Sequence, residues 1–403
     1  MNNNNNSVLN ILGGKPIYVL ALAAAIFISW QGVMAVPIQI GSLIRGLGFS
    51  EQRSSFLGTL EITTMALVPI LLALRIGRWS KPHVAIFGAV LVIAGQALSS
   101  VATNFPLLAG CRLAVGAGAG FIYGAACAAI AGHPRGDQML AWGIALGQTA
   151  LAAMLVTLPF TAQFGQQSGV FLALAVLALA FAPLLMKMPE SLVRHSDDDT
   201  NRDSNMVSRG FLFFFFLALT CFNVGIGMMW GFLELRADEL HLEPAAIGMV
   251  LAALPLGGVI GSGIAGLIGH RFGRMLPFCV ALTSCTAACF TVALVEVELL
   301  LLISTFALGI FELFVMAFFI GTASSMDSRG RIATIAGGMT MLTYGLGPGL
   351  GGLLAYQLSA SEIIIASGMI CLAAAAIILP VSILLDRRGN AKPADVAEAA
   401  TPA

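Results

Sequence analysis

Residues 110–124 read Gly110-Cys-Arg-Leu-Ala-Val-Gly-Ala-Gly-Ala-Gly-Phe-Ile-Tyr-Gly124, a single cation inside an apolar, glycine-dense run. A guanidinium does not give up its proton in proteins, and an ionised side chain at a bilayer centre costs about 2.5–3.5 kcal/mol on insertion scales. Arg112 must therefore face protein or water, not lipid. Gly116, Gly120 and Gly124 recur every four residues, share one helix face and let a neighbouring helix come close. A shielded cation beside a bare helix face points to a helix packed inside a membrane-embedded bundle.

Composition supports that reading. Of the 403 residues 58% are hydrophobic and 10% charged, with a mean hydropathy of +0.92, which marks an integral membrane protein. Lys plus Arg and Asp plus Glu are each 20, so no net basic charge points to a nucleic-acid partner. The seven cysteines all lie in apolar runs without metal-ligand spacing and read as small packing residues. An asparagine run and Lys15 precede an apolar stretch too long for a cleavable signal peptide, so the first helix is expected to be retained.

With about 20 apolar residues per span, twelve spans emerge: 17–44, 55–74, 84–101, 105–131, 139–163, 169–186, 211–233, 245–268, 276–295, 299–325, 332–356 and 363–385. In lipid each backbone amide must be satisfied internally, and no strand-like alternation is present, so the expected fold is an all-α membrane bundle. Lys15, Arg75, Arg78, Lys81, Arg135, Lys187, Arg194, Arg202, Arg209, Arg271, Arg274, Arg329, Arg331, Arg387, Arg388 and Lys392 fall on one side. Only Arg45, Arg53 and Arg236 fall on the other, which places both termini in the cytoplasm of a bacterial-type inner membrane. The expected organisation is a disordered tail at 1–16, a six-helix half at 17–188, a cytoplasmic linker at 189–209, a second half at 210–386 and a disordered tail at 387–403. The linker holds the acidic run Asp197-Asp-Asp-Thr-Asn-Arg-Asp203, a solvated stretch with no ligand assigned.

The two halves echo each other. Arg135-Gly-Asp and Arg329-Gly-Arg each join a fourth-type to a fifth-type helix, and Arg75-Ile-Gly-Arg78 matches Arg271-Phe-Gly-Arg274. Parallel repeats of this kind imply a cleft between the halves, with substrate near mid-membrane. The segment Arg112-x-x-x-Gly116-x-Gly118-x-Gly120 resembles the fourth-helix signature of the major facilitator superfamily. Gly266-Leu-Ile-Gly-His-Arg-Phe-Gly-Arg274 is similar to that family's cytoplasmic loop, G-x-x-x-D-R-x-G-R, with Gly269, Arg271, Gly273 and Arg274 in its frame. His270 stands where the family has Asp, and Leu74 stands at the corresponding place in the first half. The resemblance spans Ile17 to Leu385 and implies two pseudo-symmetric six-helix halves, alternating access and a gate set by the loop arginines.

Glu61 and Arg112 lie at similar depth in the second and fourth spans, so they can pair. The pair reads either as a proton or substrate-charge site or as a static packing contact. Glu312 is too far from both ends of the tenth span to snorkel and reads as a proton carrier, a site for a cationic group or a hydrogen-bonded buried carboxyl. Asn223, Gly227, Trp230 and Glu234 share a face of the seventh span; Gln31, Gln148 and Tyr344 are further substrate-binding candidates, each alone more often a helix contact. Pro348, in Tyr344-Gly-Leu-Gly-Pro-Gly-Leu-Gly-Gly352, marks a bend or close approach. It lies in an element similar to the G-P-x-x-G-G of the family's drug antiporters, which carry it in the fifth helix.

Enzyme motifs are absent: there is no H-E-x-x-H, no G-x-S-x-G and no phosphate-binding Gly-Lys-Ser/Thr loop, so no cofactor, metal or ATP site is expected. The expected function is secondary transport of a small organic metabolite, with an organic acid favoured by Arg112 and H⁺ as coupling ion. A proton-driven exporter of amphipathic compounds is the alternative within transport, and a ligand-binding sensor derived from a transporter is the alternative outside it. A monomer suffices, because one chain holds both halves.

Overall fold

A computed structural model describes residues 15–73, 79–130, 136–190, 209–268, 273–326 and 331–398. Among these residues twelve α-helices follow one another: α1 Pro16–Leu47, α2 Glu51–Ala73, α3 Lys81–Val101, α4 Phe105–Ile130, α5 Gly136–Thr161, α6 Gln167–Leu185, α7 Arg209–Glu239, α8 Pro244–Ile268, α9 Met275–Leu294, α10 Glu298–Met326, α11 Arg331–Leu354 and α12 Ala360–Glu398. Eleven are long and apolar enough to cross a membrane, and the other, α11, is the glycine-dense one. The chain is a multi-pass membrane protein. Helix α12 runs to Glu398, past the apolar stretch that ends at Leu385. Residues 1–14, 191–208 and 399–403, which contain most of the expected tails and linker, lie outside the described residues.

Local chemistry sets several of the ends. Pro16 and Pro82 occupy first-turn positions, where the missing N–H removes no helical bond. Gly48 ends α1 in the left-handed region at φ 65°; its N–H returns to the Ile44 carbonyl and that of Phe49 to the Leu43 carbonyl. Prolines inside α1, α2, α5, α8 and α11 each leave one carbonyl without its helical donor.

The packing repeats after six helices. Helix α1 rests on α5 and α6, α2 on α4, and α3 on α4 and α6; correspondingly α7 rests on α11 and α12, α8 on α10, and α9 on α10 and α12. Three seams join the halves: α2 with α11, α5 with α8, and α1 with α7. The first two form a symmetric pair built on glycine. A side chain at Gly345 would meet Ile62 of α2, one at Gly349 would meet Thr59, and one at Gly248 would meet the Val156 backbone of α5. Without Cβ atoms these helices touch backbone to backbone.

Candidate functional site

Between the halves lies a cavity of about 650 Å³, within the range of small-molecule sites. Its walls are apolar and sulfur-rich, with Met34, Met65, Met316 and Met341 beside Trp30, Leu254, Pro255, Leu313 and Ile320. Gln148, Asn223, Thr340, Tyr123 and Tyr344 supply the polar atoms. Among the described residues Glu312 is the only ionisable carboxyl or basic residue in the lining, with no Lys, Arg or His beside it. The cavity reaches the end of the bundle where α2 finishes and α11 begins, at half-exposed Ile70 and at Gly337 and Gly338.

Those polar groups differ in how far they are already satisfied. Asn223 Nδ2 donates to the Leu219 carbonyl at 2.7 Å and Thr340 Oγ1 to the Ala336 carbonyl at 2.9 Å, both within their own helices. Gln148 Oε1 and the Tyr344 hydroxyl are buried without a partner. The cavity therefore presents one carboxyl group and two unfilled hydrogen-bonding atoms to whatever enters.

Arg112 faces elsewhere. It is fully buried among four helices of the first half: Nη1 donates to Glu61 Oε2 at 3.0 Å, and Nη2 to Gln96 Oε1 at 3.0 Å and Ser99 Oγ at 2.5 Å. The guanidinium also lies 4.5 Å from the Phe171 ring centre, in cation–π range. The Glu61 carboxylate sits against Gly32 of α1, where any side chain would displace it. Glu61 and Arg112 thus do meet, but neither lines the cavity. Gln31 and Trp230 are also missing from its wall. Gln31 is buried with both amide atoms unpartnered, and the Trp230 indole donates to the Val33 carbonyl at 3.1 Å.

The far end of the cavity is shut where α1 meets α7. Arg45 Nη2 donates to buried Glu234 at 2.5 Å and Nη1 reaches exposed Asp238 at 3.5 Å. Glu234 is seated on Gly41 of α1, as Glu61 is on Gly32. Arg45 and Glu234 were legible singly as an outer arginine and a residue on the α7 face, but nothing local in the sequence pairs them.

The family model described as Major Facilitator Superfamily matches residues 215–403. A search of curated proteins returned no match. Among solved structures, a point mutant of the nucleoside transporter NupG superposes with a TM-score of 0.69 at 14% identity, covering 90% of this chain and 98% of the other. A bacterial homologue of the human lysosomal transporter Spinster, in an inward-facing and unoccupied conformation, gives 0.67 at 14% identity, covering 92% and 98%. The family model thus covers the second half of the chain, and the chain as a whole shares the fold of these transporters.

The segment of α4 that resembles the superfamily signature has a plain structural purpose here. A Cβ at Gly116 would strike the Glu61 carbonyl of α2, one at Gly118 the Gly88 carbonyl of α3, and one at Gly120 the Val68 side chain at 2.7 Å. The three glycines let α4 wedge between α2 and α3, which brings Arg112 to its partners. Gly273 of the loop motif adopts φ 68° and Arg274 precedes α9, while Gly269 and Arg271 lie outside the described residues. Pro348 packs on Gly231 of α7 at 3.1 Å from an added Cβ. Among the described residues no group of three His, Cys, Asp or Glu is placed to hold a metal ion.

Proposed function

We propose that this protein is an alternating-access transporter of the major facilitator superfamily that exchanges H⁺ for amphipathic organic cations or weak bases. Glu312 is the shared site. The observation that carries the reading is the pairing of one carboxyl group with a wall that is otherwise uncharged and methionine-lined. A single carboxylate can be neutralised by a proton or by a cationic cargo but not by both, and that exclusion couples the two in opposite directions. The apolar wall rewards the lipophilic part of the cargo, and Tyr344 and Gln148 supply hydrogen bonds that orient it.

An organic-acid cargo has less support. The Arg112 guanidinium already binds Glu61, Gln96 and Ser99, away from the cavity. The bias of Lys and Arg supports cytoplasmic termini, and hence a cavity open to the cytoplasm and shut outside by Arg45 and Glu234. The expected setting is a bacterial-type inner membrane, with the monomer as working unit and the halves parting near 189–209.

The test is proton flux in proteoliposomes. Adding a lipophilic cation such as tetraphenylphosphonium should move protons against the cation, and Glu312→Gln should cut that flux at least tenfold while leaving folded yield unchanged. Proton movement with organic acids and none with cations would overturn the cation reading.

A further inference from the structure

Val33 stands four residues before Pro37 in α1. Proline has no N–H, so the Val33 carbonyl loses the donor that would otherwise close its helical turn. Its replacement comes from the other half of the molecule: Trp230 of α7 donates its indole N–H at 3.1 Å, across 197 positions of sequence. Both partners are sealed from solvent, Val33 at 1% and Trp230 at 0% exposure. The arrangement differs from that at three other interior prolines. The carbonyls of Met65, Leu155 and Tyr344, four residues before Pro69, Pro159 and Pro348, face Gly120, Gly248 and Gly227 of neighbouring helices, which bring at most a weak Cα–H contact.

We propose that Trp230 is a positioning residue whose hydrogen bond to the proline-freed Val33 carbonyl latches α1 to α7 and holds the far end of the cavity shut. It lies about one helical turn from Glu234, so the two contacts act as successive points of one closure. The proposal rests on the alternating-access reading only in that the halves must part; it is independent of the cargo. When α1 and α7 are together, losing the indole N–H leaves a buried carbonyl unanswered. Once they have parted, water reaches that carbonyl. The penalty therefore falls on the closed state alone. Replacing Pro37 by Ala restores an N–H within α1 and makes the Trp230 bond dispensable.

The experiment reads distance, not flux. Dyes attached through unnatural residues at Phe164 and Tyr356, exposed by 81% and 86% on opposite halves of the closed end, report its opening by single-molecule energy transfer in nanodiscs. Trp230→Phe keeps an aromatic ring and should raise the ratio of parted to closed molecules about tenfold. In a Pro37→Ala background the same substitution should change the ratio less than twofold. An equal shift in both backgrounds, or none in either, would overturn the latch, because Trp230 would then act through bulk or not at all. A distance that never changes, with Arg45→Ala included, would sink alternating access itself.

Discussion

The described residues contain two acid–arginine pairs built to the same plan, each with its buried carboxylate seated on a glycine of α1. Glu61 rests on Gly32 and binds Arg112; Glu234 rests on Gly41 and binds Arg45. They differ in what they join. Glu61 and Arg112 belong to one half and are tied further to Gln96, Ser99 and Phe171, with side-chain exposures of 2% and 1%. Arg45 and Glu234 belong to different halves, and Arg45 keeps 32% of its side chain in contact with the surroundings. A pair inside one packed unit survives any movement between units, whereas a pair across units must break for them to part. Chemistry alone does not separate mortar from latch; connectivity does.

The sharpest way to break the comparison is to remove one member of the inner pair. Arg112→Ala leaves Glu61 buried without its cation and should cost about 3–5 kcal/mol, seen as loss of monodisperse protein after extraction. Replacing both Glu61 and Arg112 by Met should recover most of that yield, since no uncompensated charge remains. Next in size is Gly116→Val, whose added atoms meet the Glu61 carbonyl. It should destabilise by about 1–3 kcal/mol, measured as a lower unfolding temperature without a change in the closed-end distance. Smallest is Arg45→Ala, which should leave the unfolding temperature nearly unchanged and shift the closed-end equilibrium by roughly fivefold, in line with about 1 kcal/mol for a partly exposed pair. If Arg45→Ala lowered folded yield as Arg112→Ala does, the two pairs would be the same kind of contact after all.

The sequence and the structure agree where depth and periodicity suffice. Twelve apolar runs become twelve helices, and the similar depth of Glu61 and Arg112 anticipated their contact at 3.0 Å. Their companions could also have been found, because Gln96 and Ser99 are polar residues three apart on one face of the apolar α3. What stayed hidden is contact across the halves. The α7 face was visible as a periodic stripe, yet its members part company: Asn223 enters the cavity, Gly227 lies on the Tyr344 carbonyl, Trp230 reaches Val33 and Glu234 reaches Arg45. Helical spacing says which residues share a face, and only the tertiary arrangement says what that face meets. Pro37 likewise announces a freed carbonyl, but not the residue that answers it.

Helix α11 has a genetic consequence. Gly345, Gly349 and Gly352 fit it against α2, where added atoms would meet Ile62, Thr59 and Ser55, while Gly347 and Gly351 fit it against Met228 and Phe232 of α7. Every missense codon at these positions adds at least one carbon, so none of them has a conservative neighbour. Substitutions along this helix are therefore expected to survive only at the residues between the glycines, so the spacing of its bare positions should outlast the identity of the residues around them.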